Sequence, residues 1–201
     1  MEPAAKIQVT VEEYLAFEEG SLEKHELLHG EIVAMSGASP KHNAISINVS
    51  HALMTRLAPR RCAVLNSDQR IHVEDTGLFT YADVSVTCDR PRFHPKFPAN
   101  FVNPKVIVEV LSPSTEGYDR GAKFAHYQRI ASLAEYVLVS QDEPRVDHYR
   151  RLETGQWILT VSEGAAAVVS FPALGCEVPL SEIYENLDLY DPPPDEPVAS
   201  A

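Results

Sequence analysis

A short apolar run, VIVEVL at residues 106–111, constrains the fold of this chain more than any other feature. A run of β-branched residues bounded by turn signals predicts a strand that is buried on both faces. Glu109 stands in the middle of this run. Because a carboxylate that is removed from water costs several kcal/mol unless it is paired or binds a cation, the fold must supply a compensating group beside Glu109.

The segments around this strand predict an alternation of helices and strands. Thr10 and Glu13 have the spacing of a capping box at the start of a short helix, and His29-Gly30 has the composition of a hairpin turn. Ser39, which is followed by a proline, favours the start of a second, amphipathic helix. The later candidates are strands at 63–75, 81–88, 105–112 and 135–140, and a helix at 118–132.

The order of these elements indicates a fold class. From residue 40 to residue 140 it is α-β-β-β-α-β, and polar and apolar residues then alternate around Thr154-Gly155 as in an antiparallel hairpin. The sequence therefore predicts the α/β class, as an α+β fold with a mixed sheet, preceded by an N-terminal helix and hairpin and extended by the C-terminal hairpin. We expect a single domain over residues 7–190, flanked by disordered tails at 1–6 and 191–201.

The balance of charge argues against a protein that coats nucleic acid non-specifically. The formal net charge is −12 and the pI is about 5.0, whereas contacts to many phosphates need clustered Lys and Arg. The sequence shows neither a long apolar stretch that could span a membrane nor a signal peptide, so we expect a cytoplasmic protein without membrane contacts. Cys62, Cys88 and Cys176 are far apart and odd in number, and we expect them to be reduced and buried.

Two carboxylates stand on neighbouring strand candidates. Asp83 lies near the start of one strand, and Glu109 lies within the next. If these strands pair, the two carboxylates, a backbone carbonyl and water form an oxygen-rich site of the kind that binds Mg²⁺ or Mn²⁺. Such a site would compensate the charge of Glu109. The alternative is that Asp83 caps the end of a strand and that Glu109 pairs with an arginine.

A cationic side chain is available on the helix that follows. Asp119, Lys123 and Tyr127 are spaced four residues apart and therefore lie on one face of that helix. Lys123 can point back towards Glu109, where an ammonium group would orient a water molecule or stabilise charge during metal-assisted hydrolysis of a phosphodiester. The alternative is a surface pair between Asp119 and Lys123.

Four further polar residues are candidates for supporting roles. Glu31, just after the hairpin turn, and Glu26 on the opposite strand could each supply another carboxylate to the metal; an exposed glutamate at a strand end is the alternative. His42 lies at the start of a helix, where the partial positive charge favours a phosphate, although a lone histidine is more often a capping or surface group. Tyr127 is expected to pack in the core with its hydroxyl near the site.

Several motifs together resemble one known family. The chain contains, in order, ELLHGEIVAMSG, His42, YADVSV, VIVEVLSPST and YDRGAKFAHY. From about residue 8 to residue 160, this combination resembles the restriction-endonuclease-like family called Uma-two, a branch of the PD-(D/E)XK nuclease superfamily. The core of that superfamily has the same α-β-β-β-α-β order, so the resemblance implies a restriction-endonuclease-like fold.

The resemblance also implies roles for individual residues. Asp83 matches the aspartate of the "PD" element and Glu109 matches the acidic residue of "(D/E)XK", so both would be metal ligands. The sequence departs from the pattern twice, because Ala82 replaces the proline and Leu111 occupies the position of the lysine. In this family the resemblance points to a lysine that is displaced onto the following helix, and Lys123 matches that position.

These observations leave three functions open. The first is a Mg²⁺- or Mn²⁺-dependent endonuclease whose catalytic residues are the two carboxylates and the lysine, with DNA as the substrate that the resemblance implies. The second is a catalytically weak or inactive nucleic-acid-binding or regulatory module on the same fold, and the third is a hydrolase of another phosphate ester. We also expect a homodimer that forms through the apolar edge of the C-terminal hairpin, at Trp157, Leu159 and Val161.

Overall fold

The computed structural model describes residues 8–191 of the chain. The N-terminal tail that we predicted, and all but the first residue of the C-terminal one, lie outside this part. Asp191, the first residue of the predicted C-terminal tail, is described and forms an ion pair with Lys41. Within residues 8–191, none of the helices has the length and apolar character needed to cross a membrane.

Helices are interspersed among runs of strands in the described residues. The helices are α1 (Val11–Gly20), α2 (Pro40–Leu57), α3 (Glu116–Tyr118), α4 (Phe124–Tyr127) and α5 (Leu180–Ile183), with a π-helical turn at Asp119–Lys123 between α3 and α4 and a 3₁₀ turn at Leu187–Tyr190. The strands are β1 (His25–Leu28), β2 (Glu31–Ala34), β3 (Ala63–Asn66), β4 (Arg70–Val73), β5 (Leu78–Tyr81), β6 (Val84–Thr87), β7 (Val106–Val110), β8 (Glu135–Val139), β9 (Arg145–Arg151), β10 (Trp157–Glu163), β11 (Val168–Phe171) and β12 (Cys176–Pro179).

The two N-terminal signals form as predicted. The Thr10 hydroxyl accepts a hydrogen bond from the backbone N–H of Glu13 at 3.2 Å, and the Glu13 carboxylate accepts one from the backbone N–H of Thr10 at 2.8 Å. This capping box satisfies two backbone donors at the start of α1. His29 and Gly30 adopt positive φ angles of 51° and 78°, which closes the tight turn between β1 and β2.

The central sheet has six strands in the order β10-β9-β8-β7-β6-β3. The neighbours β7 and β8 are parallel, and the other pairs are antiparallel. The helical segment of α3, the π-helical turn and α4 crosses from β7 to β8, as a parallel pair requires. The mixed α+β sheet that the sequence predicts is therefore present.

Two predicted strands each divide between two sheets. The segment 63–75 forms β3 and β4, because the side chain of Asn66 accepts a hydrogen bond from the backbone N–H of Asp68 and turns the chain. The segment 81–88 spans the end of β5 and all of β6, with Asp83 between them. The hairpin of β4 and β5 joins the first hairpin in a second sheet of order β2-β1-β5-β4. Within the central sheet, the order of α2, β3, β6, β7, the crossover helix and β8 remains α-β-β-β-α-β.

The core lies on both faces of the central sheet. On one face α2 packs with Ile45, Val49 and Leu53 against the valines at 84, 86, 106, 108 and 110. On the other face the crossover helix packs around Ile107 and Leu111. Because side chains alternate along a strand, Glu109 shares the second face and points towards the crossover helix.

The C-terminal region extends the central sheet and adds a small second hairpin. Strands β9 and β10 form the predicted hairpin, while β11, β12 and α5 are additions that we did not predict.

Cys62 and Cys88, which we expected to be reduced, form a disulfide. Cys62 precedes Ala63 and Cys88 follows Thr87, and because Ala63 pairs with Thr87 the two cysteines lie opposite each other. Their separation of 26 residues in the sequence does not indicate this disulfide. Cys176 is a free thiol.

Candidate active site

The antiparallel pairing of β6 and β7 brings Asp83 and Glu109 together. Val84 pairs with Val108, so that Asp83, the residue before β6, lies beside Glu109 on β7. The backbone N–H of Asp83 donates to Oε2 of Glu109 at 3.3 Å, and the backbone N–H of Val110 donates to Oδ2 of Asp83 at 2.7 Å. Glu109 is buried, with 3% of its surface exposed, and Asp83 is partly exposed. The two carboxylates thus form one cluster at the end of the central strands.

Lys123 reaches this cluster from the π-helical turn. Its Nζ lies 3.0 Å from Oε1 of Glu109 and 3.6 Å from Oδ1 of Asp119, and it donates to the backbone carbonyl of Tyr81 at 3.2 Å. The lysine is buried, with 4% of its surface exposed. Leu111, at the lysine position of the motif, lies instead in the core behind the strand. The ammonium group beside Glu109 therefore comes from the crossover helix and not from β7.

Tyr127 and His42 each contact one member of the carboxylate pair. The Tyr127 hydroxyl donates to Oε1 of Glu109 at 2.9 Å, and the tyrosine is fully buried. Nε2 of His42, on the first turn of α2, lies 3.2 Å from Oδ2 of Asp83. The other ring nitrogen of His42, Nδ1, is buried without a hydrogen-bond partner among residues 8–191. Each carboxylate is thus held by a neutral or cationic donor from a helix.

The structure separates the two glutamates of the first hairpin. Glu26 on β1 is buried, accepts a hydrogen bond from the Thr80 hydroxyl and has Oε1 3.8 Å from Nζ of Lys123. Glu31 lies at the turn end of the hairpin opposite Leu28, and it is not one of the residues that line the cavity. Alternation along the strands places residues 26, 28 and 31 on one face, and the structure brings Glu26 on this face towards Lys123.

Burial and charge shift the titration of the cluster. Burial, with repulsion from Asp83 and Asp119, raises the pKa of Glu109 to about 8, although the Lys123 ammonium pulls it downward. Burial also raises the pKa of Asp119. For Lys123, burial lowers the pKa, but attraction from Glu109 and the other carboxylates outweighs it and the pKa rises well above its usual value. The cluster therefore holds more carboxyl groups than its single lysine balances.

The cluster forms the floor of a cavity of about 800 Å³. One part of the wall carries hydroxyl groups that contact one another: Ser112 Oγ lies 2.8 Å from Thr115 Oγ1 and 3.1 Å from Ser114 Oγ, and Ser36 Oγ lies 3.5 Å from Ser114 Oγ. Lys24 stands at the mouth and pairs with Asp68 at 2.7 Å. Our prediction from the sequence missed this hydroxyl wall; the Ser-rich segments MSGAS and LSPST were its only local signal.

Comparison with known proteins identifies the family. A family model described as "Uma2: Putative restriction endonuclease" matches residues 11–181. The chain belongs to the Uma2 family. The resemblance that the motifs indicated is therefore confirmed over most of the chain.

Two relatives of this Uma2 chain are uncharacterized proteins of Synechocystis sp. (strain ATCC 27184 / PCC 6803 / Kazusa). Protein sll1609 is 37% identical over 163 residues, which cover 81% of this chain and 92% of the relative. Protein slr1290 is 38% identical over 181 residues, which cover 90% of this chain and 93% of the relative. Both alignments extend over nearly the whole relative.

A solved structure shows the same fold. It is the crystal structure of "a putative nuclease belonging to DUF820" from Anabaena variabilis ATCC 29413, which superimposes with a TM-score of 0.73. The match covers 89% of this chain and 99% of that chain, at 19% sequence identity. The architecture of this Uma2 chain is thus that of a crystallised protein.

The residues of the cluster suit the divalent cation that the resemblance to restriction-endonuclease-like proteins implies. Asp83 and Glu109 offer hard oxygen donors, and the surplus of carboxylates around Lys123 is a charge that a divalent cation would offset. Among residues 8–191, no three His, Cys, Asp or Glu side chains are arranged around one cation position. A cation here would thus take two carboxylates and complete its shell with backbone carbonyl and water, a donor set that is common for Mg²⁺.

Proposed function

We propose that the protein is a metal-dependent endonuclease that hydrolyses phosphodiester bonds in DNA. The observation that supports this function best is the convergence of Asp83, Glu109 and Lys123 at the floor of one cavity. Membership of the Uma2 family supports the reaction class. The fold by itself carries no such conclusion, because one fold hosts many functions.

In this proposal each residue of the floor has one task. Asp83 and Glu109 hold Mg²⁺ or Mn²⁺, and a bound cation supplies a Lewis acid for a phosphoryl oxygen and lowers the pKa of water. Lys123 places its ammonium group next to Glu109, where it neutralises charge that develops on the phosphate or orients the attacking water. Tyr127 and His42 keep Glu109 and Asp83 in place through the contacts described above. Glu26 limits the movement of Lys123 from the opposite side.

A second candidate is a module that binds nucleic acid without cleaving it. The contacts of Lys123 favour this alternative, because the ammonium group is already surrounded by Glu109, Asp119 and Glu26 and by a backbone carbonyl. A lysine so engaged is well placed to stabilise the fold. Binding of DNA that weakens with salt, in the absence of cleavage, would distinguish this function from the enzyme.

We also propose that two copies associate through β10, which forms one edge of the central sheet. Ile158, Leu159 and Val161 on this strand are each more than 40% exposed, and an edge strand offers unpaired backbone groups to a second chain. Trp157, which we expected at this surface, packs instead against Phe124 with ring centroids 5.2 Å apart. Light scattering on the wild type and on a Leu159→Lys variant tests the dimer, which the added charge should dissociate.

A cleavage assay tests the enzymatic function. Purified protein is incubated with supercoiled plasmid, single-stranded DNA and RNA in Mg²⁺ or in Mn²⁺, with EDTA as the control. Asp83→Asn keeps the shape of the ligand and removes its charge, whereas Lys123→Met keeps the apolar stem and removes the ammonium group. The proposal expects cleavage by the wild type that EDTA and both folded variants abolish. A folded, metal-loaded wild type that cleaves none of these substrates would favour the binding module.

A further inference from the structure

We infer that the cavity accepts a single, unpaired strand of nucleic acid and excludes an intact duplex. This inference rests on the proposed function, because it names the form of nucleic acid that reaches the cluster of Asp83, Glu109 and Lys123. Its support comes from three independent features of the cavity: its size, the charge of its lining and the chemical character of its walls.

The size of the cavity is the first feature. A sphere of 800 Å³ is about 11.5 Å across, and a whole B-DNA duplex is wider than this, because its major groove alone is about 12 Å wide. Glu109 and Lys123 lie at the floor with 3% and 4% of their surface exposed. A phosphate that is held within a duplex therefore cannot approach the floor, whereas one nucleotide of a free strand fits.

The charge of the lining is the second feature. Counting every carboxylate as ionised, five carboxylates and two ammonium groups line the cavity, which leaves a surplus of three negative charges. The carboxylates are those of Glu23, Glu26, Asp83, Glu109 and Asp119, and the ammonium groups those of Lys24 and Lys123. A duplex carries about one negative charge per 1.7 Å of its axis, and one strand carries half as many. One divalent cation would still leave one negative charge, so this lining cannot balance a double row of phosphates.

The cationic side chains near the cavity do not supply the missing positive charge. Lys24 at the mouth pairs with Asp68, and Lys41 on the first turn of α2 pairs with Asp191. Arg120, in the π-helical turn, pairs with both Glu116 and Asp147. Each of these cations is offset by a neighbouring carboxylate, so the pairs add no net positive charge. Within residues 8–191, these pairs therefore do not form the basic track that a duplex backbone needs.

The character of the walls is the third feature. The apolar residues Leu28, Val33 and Met35 form one part of the lining, and the hydroxyl groups around Ser112 form another. The hydroxyl oxygen of Tyr118 is buried at the cavity without a hydrogen-bond partner among residues 8–191. An unstacked nucleotide presents a base face to apolar and aromatic walls and a sugar with polar groups to hydroxyls, and single-strand-binding proteins use the same combination. In a duplex the base faces are stacked and unavailable.

Fluorescence-labelled oligonucleotides of one sequence test this inference in three forms: single-stranded DNA, single-stranded RNA and blunt duplex DNA. Cleavage by the wild type is followed in Mg²⁺ or Mn²⁺, and binding to Asp83→Asn in Mg²⁺ is followed by anisotropy. We expect at least one single-stranded form to be cleaved or bound at least 10-fold better than the duplex. The logarithm of the binding constant should fall with the logarithm of salt concentration with a slope no steeper than about −2. Equal or better cleavage or binding of the duplex would overturn the inference.

Matched tyrosine variants show whether the cavity itself makes the contact. Tyr118→Ala should weaken binding of the preferred single strand about 10-fold, since stacking of a base on an aromatic ring contributes to single-strand binding. Tyr190→Ala removes an exposed tyrosine that does not line the cavity and should leave binding unchanged. If no form is cleaved but single strands still bind preferentially, the proposed hydrolysis fails and the inference stands. If no form is cleaved or bound, both fail.

Discussion

Nζ of Lys123 lies 3.0 Å from Oε1 of Glu109, although the two residues belong to different elements and lie fourteen positions apart. This contact supplies the compensating positive charge that the buried carboxyl group of Glu109 on β7 requires. The compensation is shared, since Asp119 and Glu26 contact the same ammonium group at 3.6 Å and 3.8 Å. One buried cation thus serves several carboxylates, and its loss has consequences for stability as well as for chemistry.

Lys123→Met should lower the free energy of unfolding by about 3 kcal/mol at neutral pH, because it leaves buried carboxylates without their counter-charge. Urea denaturation measures this change. The double variant Lys123→Met with Glu109→Gln should recover part of the loss, since it removes one of the uncompensated charges. An unchanged unfolding midpoint in Lys123→Met, with an unchanged slope, would show that the lysine does not stabilise the cluster.

Tyr127→Phe should reduce cleavage about 10-fold and the free energy of unfolding by about 1 kcal/mol, because it removes the hydroxyl that donates to Glu109 at 2.9 Å. Tyr136→Phe is the matched control. Its hydroxyl donates to the backbone carbonyl of Asp119 at 3.0 Å, so its removal should cost similar stability with less effect on cleavage. Rates at saturating substrate and thermal melting separate the two effects. Equal rates for the two variants would argue against a role of Tyr127 in positioning Glu109.

His42→Ala should weaken binding of Mn²⁺ about 10-fold, because a residue that orients a metal ligand typically contributes a factor of 10 to 100 to affinity. His42 would orient Asp83 through its Nε2 atom, which lies 3.2 Å from Oδ2 of Asp83. Calorimetric titration of the wild type with Mn²⁺ measures the affinity without any substrate. His51→Ala, at an exposed position of the same helix, should bind Mn²⁺ like the wild type. Identical affinities for all three proteins would remove His42 from the site.

Stability should fall as pH decreases from about 6.5 to about 4, in part because of His72. Burial, with a smaller contribution from nearby His94, lowers the pKa of His72 to about 4 in the folded protein. In the unfolded chain a histidine has a pKa of about 6.5. Between these values the unfolded chain binds a proton that the folded protein does not, so acid favours unfolding, by up to about 1.4 kcal/mol per pH unit.

Comparison with His72→Phe isolates this contribution. The His72 ring stacks on Phe79 with centroids 4.0 Å apart, so a phenylalanine can replace it in the same environment. Urea denaturation at several pH values between 4 and 7 should show a smaller decrease in stability for the variant than for the wild type. Parallel curves for the two proteins would mean that His72 titrates alike in the folded and unfolded states.

The sequence by itself determined the local elements and the identity of the family. The capping box at Thr10, the turn at His29-Gly30 and the apolar face of α2 follow from interactions over a few residues, which the order of residue types specifies directly. The position of Glu109 in a buried strand likewise follows from an apolar run. These features could be predicted because their causes lie within one turn or one strand.

Only the tertiary structure decided which distant residues meet. The turn at Asn66 sends β4 and β5 into a second sheet, the pairing of β3 with β6 joins Cys62 to Cys88, and the placement of the first hairpin brings Glu26 to Lys123. Each of these contacts depends on the packing of elements that are remote in sequence. Periodicity specifies the face on which a side chain lies, but not the element that packs against that face, because that choice depends on the burial of the whole core.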